Sequence, residues 1–348
     1  MSGGVDSSVA AALLVEQGCD AIGVTLRLLP KLDSSFGCCG SPRDIDDAKR
    51  VCERLGIPHY VLDLAKRFDR DVVTPFVDRY RDGLTPNPCV ECNRSLKFGY
   101  LLDLAGAWGA EAVATGHYAR AEEGRLYRAV DAEKDQTYFL HGLTRRQLGR
   151  VRFPLGRLRK PQVRARARAL GLATAEKPES QEICFVGGRD YRGFVASRAG
   201  SPPEAGDVAD ASGRVLGRHA GLTGYTVGQR RGLGELERPG GSEREPLYVV
   251  GLVPATNTVV VGPRTEVFRS GLLAGAVTWT RDAPGGPFEA EVRIRHRHPP
   301  APALVSPLEG GRVRVEFREP QRAVAPGQSA VFYRGDEVLG GGAILEAI

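Results

Sequence analysis

The chain opens on Ser2-Gly3-Gly4-Val5-Asp6-Ser7-Ser8, which runs straight into the apolar stretch Val9-Ala-Ala-Ala-Leu-Leu-Val-Glu16. Two glycines let the backbone turn sharply and approach a ligand with no Cβ in the way. Hydroxyls of three serines and the unpaired N–H groups of the first helical turn then converge on one small space. A nest at the positive end of a helix suits an anionic phosphate. No Gly-x-x-x-x-Gly-Lys-Ser/Thr occurs in the 348 residues, so this is not a Walker loop. The plain alternative is a glycine turn with a Ser or Asp helix cap.

Beyond Glu16 the sequence alternates between two periods. Ala21–Leu26 is a short β-branched run ended by Pro30. A Gly/Ser/Cys loop holding Cys38 and Cys39 comes next, and Ser41-Pro42-Arg43-Asp44 carries the signals of a helix start, the helix running to Gly56. His59–Leu64 reads as a strand and Ala65–Arg81 as an amphipathic helix. Thr85–Asn93 is broken by prolines, a helix is expected from about Leu96 to Trp108, and Glu111–His117 is a further strand. Strands separated by helices of this length predict a parallel sheet covered on both faces. Ligands of such sheets bind beyond the carboxyl ends of the strands, which puts residues 2–8, Leu26, the 85–93 loop and Gly116-His117 on one rim. Two helical stretches between Leu143 and Leu172 carry the arginines. Beyond about residue 196 the helical pattern gives way to β-like runs parted by Gly-Pro turns, among them Tyr248–Val253, Thr258–Val261, Phe288–Ile294, Val313–Phe317 and Ala330–Tyr333. The expected organisation is an α/β catalytic domain over 1–196, a small middle domain over 197–262 and a C-terminal β-barrel or sandwich over 263–348.

With 42% hydrophobic residues the chain can fill ordinary cores, and no apolar run is long enough to span a bilayer. No signal peptide opens it, so a cytoplasmic protein is expected. The net charge of +6 matters less than its distribution. Between Asp135 and Glu176 there is no acid, while Arg145, Arg146, Arg150, Arg152, Arg157, Arg159, Lys160, Arg164, Arg166 and Arg168 accumulate. Such a run reads either as a face for a polyanion or as a solvated helix surface. Seven cysteines, an odd number without secretory signals, point away from a disulfide framework. Cys19 and Cys52 sit among apolar neighbours and read as core fillers. Cys89-Val-Glu-Cys92 and Cys184 are the informative ones. Taken alone, Cys-x-x-Cys suits zinc (closed by Cys38 and Cys39), an iron–sulfur cluster or a redox pair.

Ser2–Ser8 resembles the signature of the PP-loop ATP pyrophosphatases, which split ATP between the α and β phosphates. In that superfamily the loop follows a strand, so about ten further strand-like residues are expected upstream of Met1, a usual strand length with a tail. Six further strings extend and sharpen the resemblance: Thr85-Pro-Asn-Pro with Cys92-Asn93, Ala114-Thr-Gly-His-Tyr118, Lys134-Asp-Gln136, Gln181-Glu-Ile-Cys-Phe185, Tyr225-Thr-Val-Gly-Gln-Arg230-Arg-Gly-Leu233, and Pro326-Gly-Gln-Ser-Ala-Val-Phe332. Over essentially its whole length the chain is similar to the bacterial tRNA-specific 2-thiouridylases.

The resemblance implies that ATP lies on Met1, Ser2, Gly3, Gly4, Val5, Asp6 and Ser7, with Leu26 and Gly116 beside adenine and ribose, and that magnesium accompanies it. It implies a wobble uridine of the lysine, glutamate and glutamine tRNAs flipped towards Asn87, Pro88 and Cys89. Lys134, Asp135 and Gln136 would hold the stem, with Arg295, His296, Arg297 and Gln328 clamping from the C-terminal domain. Cys184 would carry sulfur as a persulfide received from a cysteine desulfurase or a relay protein, and Cys92 would act as its partner thiol. At Cys89 the better-described members carry aspartate, so this chain has three thiols at one place. Two schemes stay open here: persulfide chemistry, or an iron–sulfur cluster on Cys89, Cys92 and Cys184. A PP-loop amide synthetase for small molecules and a tRNA-binding protein without chemistry are the competing functions; neither needs a reactive Cys184.

Overall fold

The computed structural model describes residues 1–29, 40–179, 183–186, 190–198, 200, 203–237 and 245–348. Cys38, Cys39, Gln181 and Glu182 lie outside the described residues. The first helix, α1 (Val5–Glu16), leads to β1 (Gly23–Arg27), α2 (Pro42–Leu55) and β2 (His59–Asp63). The α2 boundaries are those its sequence dictates. Ser41 accepts the Asp44 N–H, Pro42 takes the first turn, and Gly56 ends the helix in the left-handed conformation at φ 69°. Next come α3 (Ala65–Phe68), a π-helical stretch Asp69–Val73 and α4 (Thr74–Arg81), together one continuous helical segment.

The next helix departs from expectation. It starts not near Leu96 but inside the proline-containing segment, as α5 (Pro88–Cys92), and continues through a π-helical stretch Asn93–Tyr100 into α6 (Leu101–Ala107). Pro88 sits at its first position, where no N–H is needed, and Asn87 caps it by accepting the Cys89 N–H at 3.2 Å. The two prolines start a helix here rather than breaking one.

β3 (Val113–Ala114) comes next, then the hairpin β4 (Arg120–Glu122) and β5 (Arg125–Tyr127), α7 (Arg145–Leu148), β6 (Val151–Arg152), α8 (Lys160–Ala169) and α9 (Tyr191–Arg198). β1 pairs with β2 and β3 with β6, both parallel. These pairs, with α1, α2 and α8 packed around Val5, Val9, Val51, Leu155 and Val163, form the α/β layer. β7 (Gly206–Ala209), β8 (Val215–His219), β9 (Tyr248–Val253) and β10 (Thr258–Gly262) form a four-stranded middle sheet in the order β8-β7-β10-β9.

β11 (Phe268–Trp279), β12 (Phe288–Arg293), β13 (Ala301–Leu308), β14 (Arg312–Arg322), β15 (Ser329–Arg334) and β16 (Glu337–Ala347) run in the order β11-β14-β13-β12-β15-β16. Pairing of β16 with β11 closes them into a barrel, not a sandwich. Alternate residues such as Val313, Val315 and Phe317 fill its interior. The barrel does not stand apart. The β4–β5 hairpin adds to β16 through Leu126 opposite Val338, and both side chains join a core that also holds Phe98, Tyr138 and Val151 of the α/β layer. Among the described residues no helix is long and apolar enough to cross a membrane.

Candidate functional site

At the N-terminal loop the backbone turns through Gly3 (φ 69°) and α1 begins at Val5 with Gly4 as its N-cap. No side chain caps this helix start. Asp6, which could have done so, instead receives hydrogen bonds from Lys160 Nζ at 2.8 Å to each oxygen and from the Tyr118 hydroxyl at 2.9 Å. The opening N–H groups therefore remain for an anion, which disfavours the plain-cap reading. The serines are preset: Ser7 Oγ and Ser8 Oγ donate to Gly4 O at 3.1 and 2.8 Å, and Ser2 N donates to Ser7 Oγ at 3.1 Å. Gly116 lies directly against the loop, since a Cβ there would stand 2.7 Å from Asp6 C and from Ser7 N. The rim expected from the sequence thus brings residues 2–8 and Gly116 into contact. Met1, through its amino group, is hydrogen-bonded to Val24 O of β1.

Charges around the loop come from residues the sequence did not single out for this place. Lys160 is 9% exposed and bridges Asp6 to Glu179, at 2.8 Å from each. Lys134 reaches the same Glu179 at 2.7 Å. Burial alone would raise the Glu179 carboxyl, but hydrogen bonds from Lys134 and Lys160 outweigh it and bring it down to about 2. Lys177 donates to Gly3 O at 2.9 Å and to Asp44 and Asp47 at 2.7 and 2.6 Å. Burial works against the Lys177 charge, yet those two carboxylates raise its pKa overall. In sequence these partners are too far apart to be read as one set.

The acid-free run is accordingly not one open basic face. Acids from elsewhere in the chain meet Arg145 (Asp282), Arg157 (Glu122), Arg166 (Glu16), Arg168 (Glu176) and Lys160. Arg164 is turned towards the carbonyls of Ala175 and Lys177. A linear count of charges overstates the potential of this surface.

Cys92 is buried at one turn's distance from exposed Cys89 on α5. Cys92 belongs to the apolar cluster of Phe68, Phe76, Leu96 and Phe185, and Cys184 packs against that same cluster, as does Leu26 from the end of β1. The two thiols and Leu26 thus share one core. Phe185, immediately after Cys184, meets Phe76 edge-on at 5.1 Å and anchors that short stretch. A ligand set does not form: among the described residues no three His, Cys, Asp or Glu side chains are placed to hold one metal ion. Magnesium takes oxygen ligands. Asp6 carries them at the loop, where Lys160 engages both of its oxygens.

Asn87 and Pro88 sit at the start of α5, near the loop that Thr85 begins. Asp135 points inward: its side chain is 3% exposed and takes the Ala129 N–H, the Thr137 hydroxyl and Arg293 of the barrel. Gln136 accepts the Tyr118 N–H at 2.9 Å. His296 stacks on Phe139 with centroids 4.5 Å apart and lies 3.3 Å from Asp135 O. Burial lowers the pKa of His296 and of Arg295. Arg297 is exposed, and Gln328 donates to Thr85 O at 2.8 Å. Several residues expected on RNA thus also bind the barrel to the α/β layer. His117 lies between Phe98 and Phe153, and its burial holds the imidazole well below its ordinary pKa.

Comparison with known proteins agrees with this layout. Residues 1–188 match the family model described as a tRNA methyl transferase HUP domain, 192–263 a tRNA methyl transferase PRC-barrel domain, and 269–344 an aminomethyltransferase beta-barrel domain. A tRNA-specific 2-thiouridylase MnmA of Geobacter metallireducens is 49% identical, over 100% of this chain and 96% of its own length. The chain belongs to the tRNA-specific 2-thiouridylase family. Others bearing that name are similar at the same level: 48% in Carboxydothermus hydrogenoformans, covering 99% of this chain and 96% of the relative, and 49% in Solibacter usitatus, covering 98% and 97%. Family membership extends over all three structural layers, the HUP, PRC-barrel and β-barrel portions alike.

Proposed function

We propose that this protein replaces the C2 oxygen of the wobble uridine of tRNA by sulfur at the expense of ATP, releasing AMP and pyrophosphate. The carrying observations are that Cys92 and Cys184 share one apolar core with Leu26 of β1, and that the α1 start in the N-terminal loop is left without a side-chain cap. In this reading residues 1–7 with Leu26 and Gly116 bind ATP. Asp6 would hold a magnesium ion arriving with the nucleotide, and that ion would offset phosphate charge. Preset serines and open N–H groups orient the α-phosphate for in-line attack, which lowers the entropic part of the barrier.

Asn87, Pro88 and Cys89 receive the flipped base. Flipping is least costly in a single-stranded loop. The uridine O2 attacks the α-phosphorus and pyrophosphate leaves. A Cys184 persulfide, loaded by a cysteine desulfurase or a relay protein, attacks C2 through its terminal sulfur and AMP departs with the oxygen. Cys92 thiolate then attacks the Cys184 sulfur. The S–S bond breaks, its electron pair stays on the 2-thiouridine sulfur, and a Cys92–Cys184 disulfide remains for an external thiol to reduce. Lysine, glutamate and glutamine tRNAs are the expected substrates. Incubation with ATP, a persulfide donor and unmodified glutamate tRNA, followed by nucleoside mass spectrometry, tests the reading. 2-Thiouridine with wild type, and its loss in Cys184→Ser with pyrophosphate release retained, is expected. No 2-thiouridine from wild type under these conditions would overturn it.

A further inference from the structure

We infer that the barrel turn Pro326-Gly327-Gln328 is part of the reaction centre, because it sets the position of the segment that carries Cys89 and Cys92. This rests on the thiolation reading. Both backbone polar groups of Thr85 are taken up by that turn. Thr85 N–H donates to Pro326 O at 2.8 Å, and Gln328 Nε2 donates to Thr85 O at 2.8 Å. Gly327 between them has φ 91°, and a Cβ there would lie 2.7 Å from Thr85 N and 2.9 Å from Leu84 Cβ. Only glycine allows this approach.

The turn is itself fixed. Gly327 N donates to Ile344 O at 2.8 Å, and Ile344 N to Gln328 O at 2.7 Å, which ties it to β16. Next to it, the Tyr138 hydroxyl donates to Ser329 O at 3.0 Å and accepts the Ser329 N–H at 3.2 Å. On the far side, Gly83 lies against Pro254 in the turn between β9 and β10, where a Cβ on it would stand 2.8 Å from Pro254 Cγ. Thr85 is therefore gripped between two other parts of the molecule.

From Thr85 the path to the thiols is short and stiff. Pro86 and Pro88 are both buried and fix their own φ, and each restricts the residue before it. Asn87 then caps α5, and Cys92 lies in its first turns. A displacement at Thr85 has few torsions in which to dissipate before it reaches the thiols. Gln328 thus acts as a positioning residue through Thr85.

The test uses the full chain with ATP, a persulfide donor and unmodified glutamate tRNA under single-turnover conditions. Gly327→Ala and Gln328→Met are expected to lower the thiolation rate at saturation by about 10- to 100-fold, as for a reacting group displaced by about 1 Å. In Gly327→Ala the Kd for tRNA and the KM for ATP should stay within about threefold. Alkylation of Cys89, followed by peptide mass spectrometry, should change in rate in both variants. Gly335→Ala, a left-handed position with open space around it, controls for strain alone and should match wild type. Weakened tRNA binding with an unchanged saturated rate would overturn the inference in favour of direct RNA contact. Unchanged rate and alkylation would reduce the turn to a fold contact and overturn it too. If Gly327→Ala does not fold, Gln328→Met decides. A wild type that makes no 2-thiouridine would sink the thiolation reading alone, because the Cys89 alkylation comparison still reports on positioning.

Discussion

Lys160 shows how far a residue's role can lie from its place in the sequence. It sits in an acid-free, arginine-rich run, and a linear reading assigns it to a polyanion. Folding places it under the N-terminal loop, where it is the buried cation between Asp6 and Glu179. Replacing it by Gln leaves Asp6 without its cation, while Glu179 keeps Lys134. Expected are a stability loss of about 2 kcal/mol, as for a charged hydrogen bond removed from a half-buried site, and at least a tenfold fall in tRNA-dependent pyrophosphate release. Unchanged tRNA affinity should accompany both. If Lys160→Gln lost tRNA affinity while pyrophosphate release stayed at the wild-type level, the linear reading would be the right one. Glu179 adds a pH signature. Its carboxyl is lowered from 4.5 to about 2, so its contribution to stability is complete above about pH 4.5 and disappears as the pH falls towards 2. Urea midpoints of wild type and Glu179→Gln should differ at pH 6 and converge on acidification; a gap that stays constant with pH would contradict this. Neither Lys160 nor Glu179 can be found from spacing, because their partners are brought by four separate elements. Cys92 and Cys184 are singled out by the family resemblance, not by spacing.

At the scale of elements, legibility tracks local chemistry. α2 is readable at both ends because Ser41, Pro42 and Gly56 each act on backbone groups within one turn of themselves. α5 is not, because two prolines in four residues look like a break unless Asn87 is seen to cap the turn after it. β16 escapes a sequence reading for a related reason. Three consecutive glycines, 340–342, carry no strand propensity, and only close approach of β11 and β15 explains them. Gly116 is one of the glycines at the site that leave no room for a side chain. Its Cβ would meet backbone atoms of Asp6 and Ser7, which cannot swing aside as a side chain can. Gly116→Ala should force strand end and loop apart, costing about 1–3 kcal/mol of overpacking strain and raising the KM for ATP well beyond any change in tRNA affinity. ATP titration by isothermal calorimetry, without tRNA, measures that directly. An unaltered ATP affinity would mean that the loop is not held by Gly116.

For the whole molecule, the alternation of periods points to the α/β half, and the later β-like runs point to the barrel. What sequence does not reveal is that the two are one structure. The β4–β5 hairpin extends the barrel's sheet, and Tyr333 and Val338 of the barrel share a core with Tyr138 and Leu140. Asp135 is the polar centre of that junction. Its carboxylate takes the Thr137 hydroxyl at 2.8 Å and Arg293 at 3.3 Å, while Arg293 also lies over the Tyr333 ring. The family resemblance puts Asp135 on tRNA, and the geometry gives it a second job whose consequences separate cleanly. Truncation to Ala would strand a guanidinium that is 17% exposed, a change that costs about 3–5 kcal/mol when a buried pair loses one member. Asp135→Ala should therefore unfold at markedly lower urea concentration, and Asp135→Ala with Arg293→Met should recover part of that loss because the stranded charge is gone. A residue that serves RNA alone behaves in the opposite way: stability is untouched, tRNA affinity falls, and the second substitution makes binding worse. Urea denaturation and tRNA binding on the same four proteins distinguish the two, and recovery of stability in the double variant is the result that only the junction can produce.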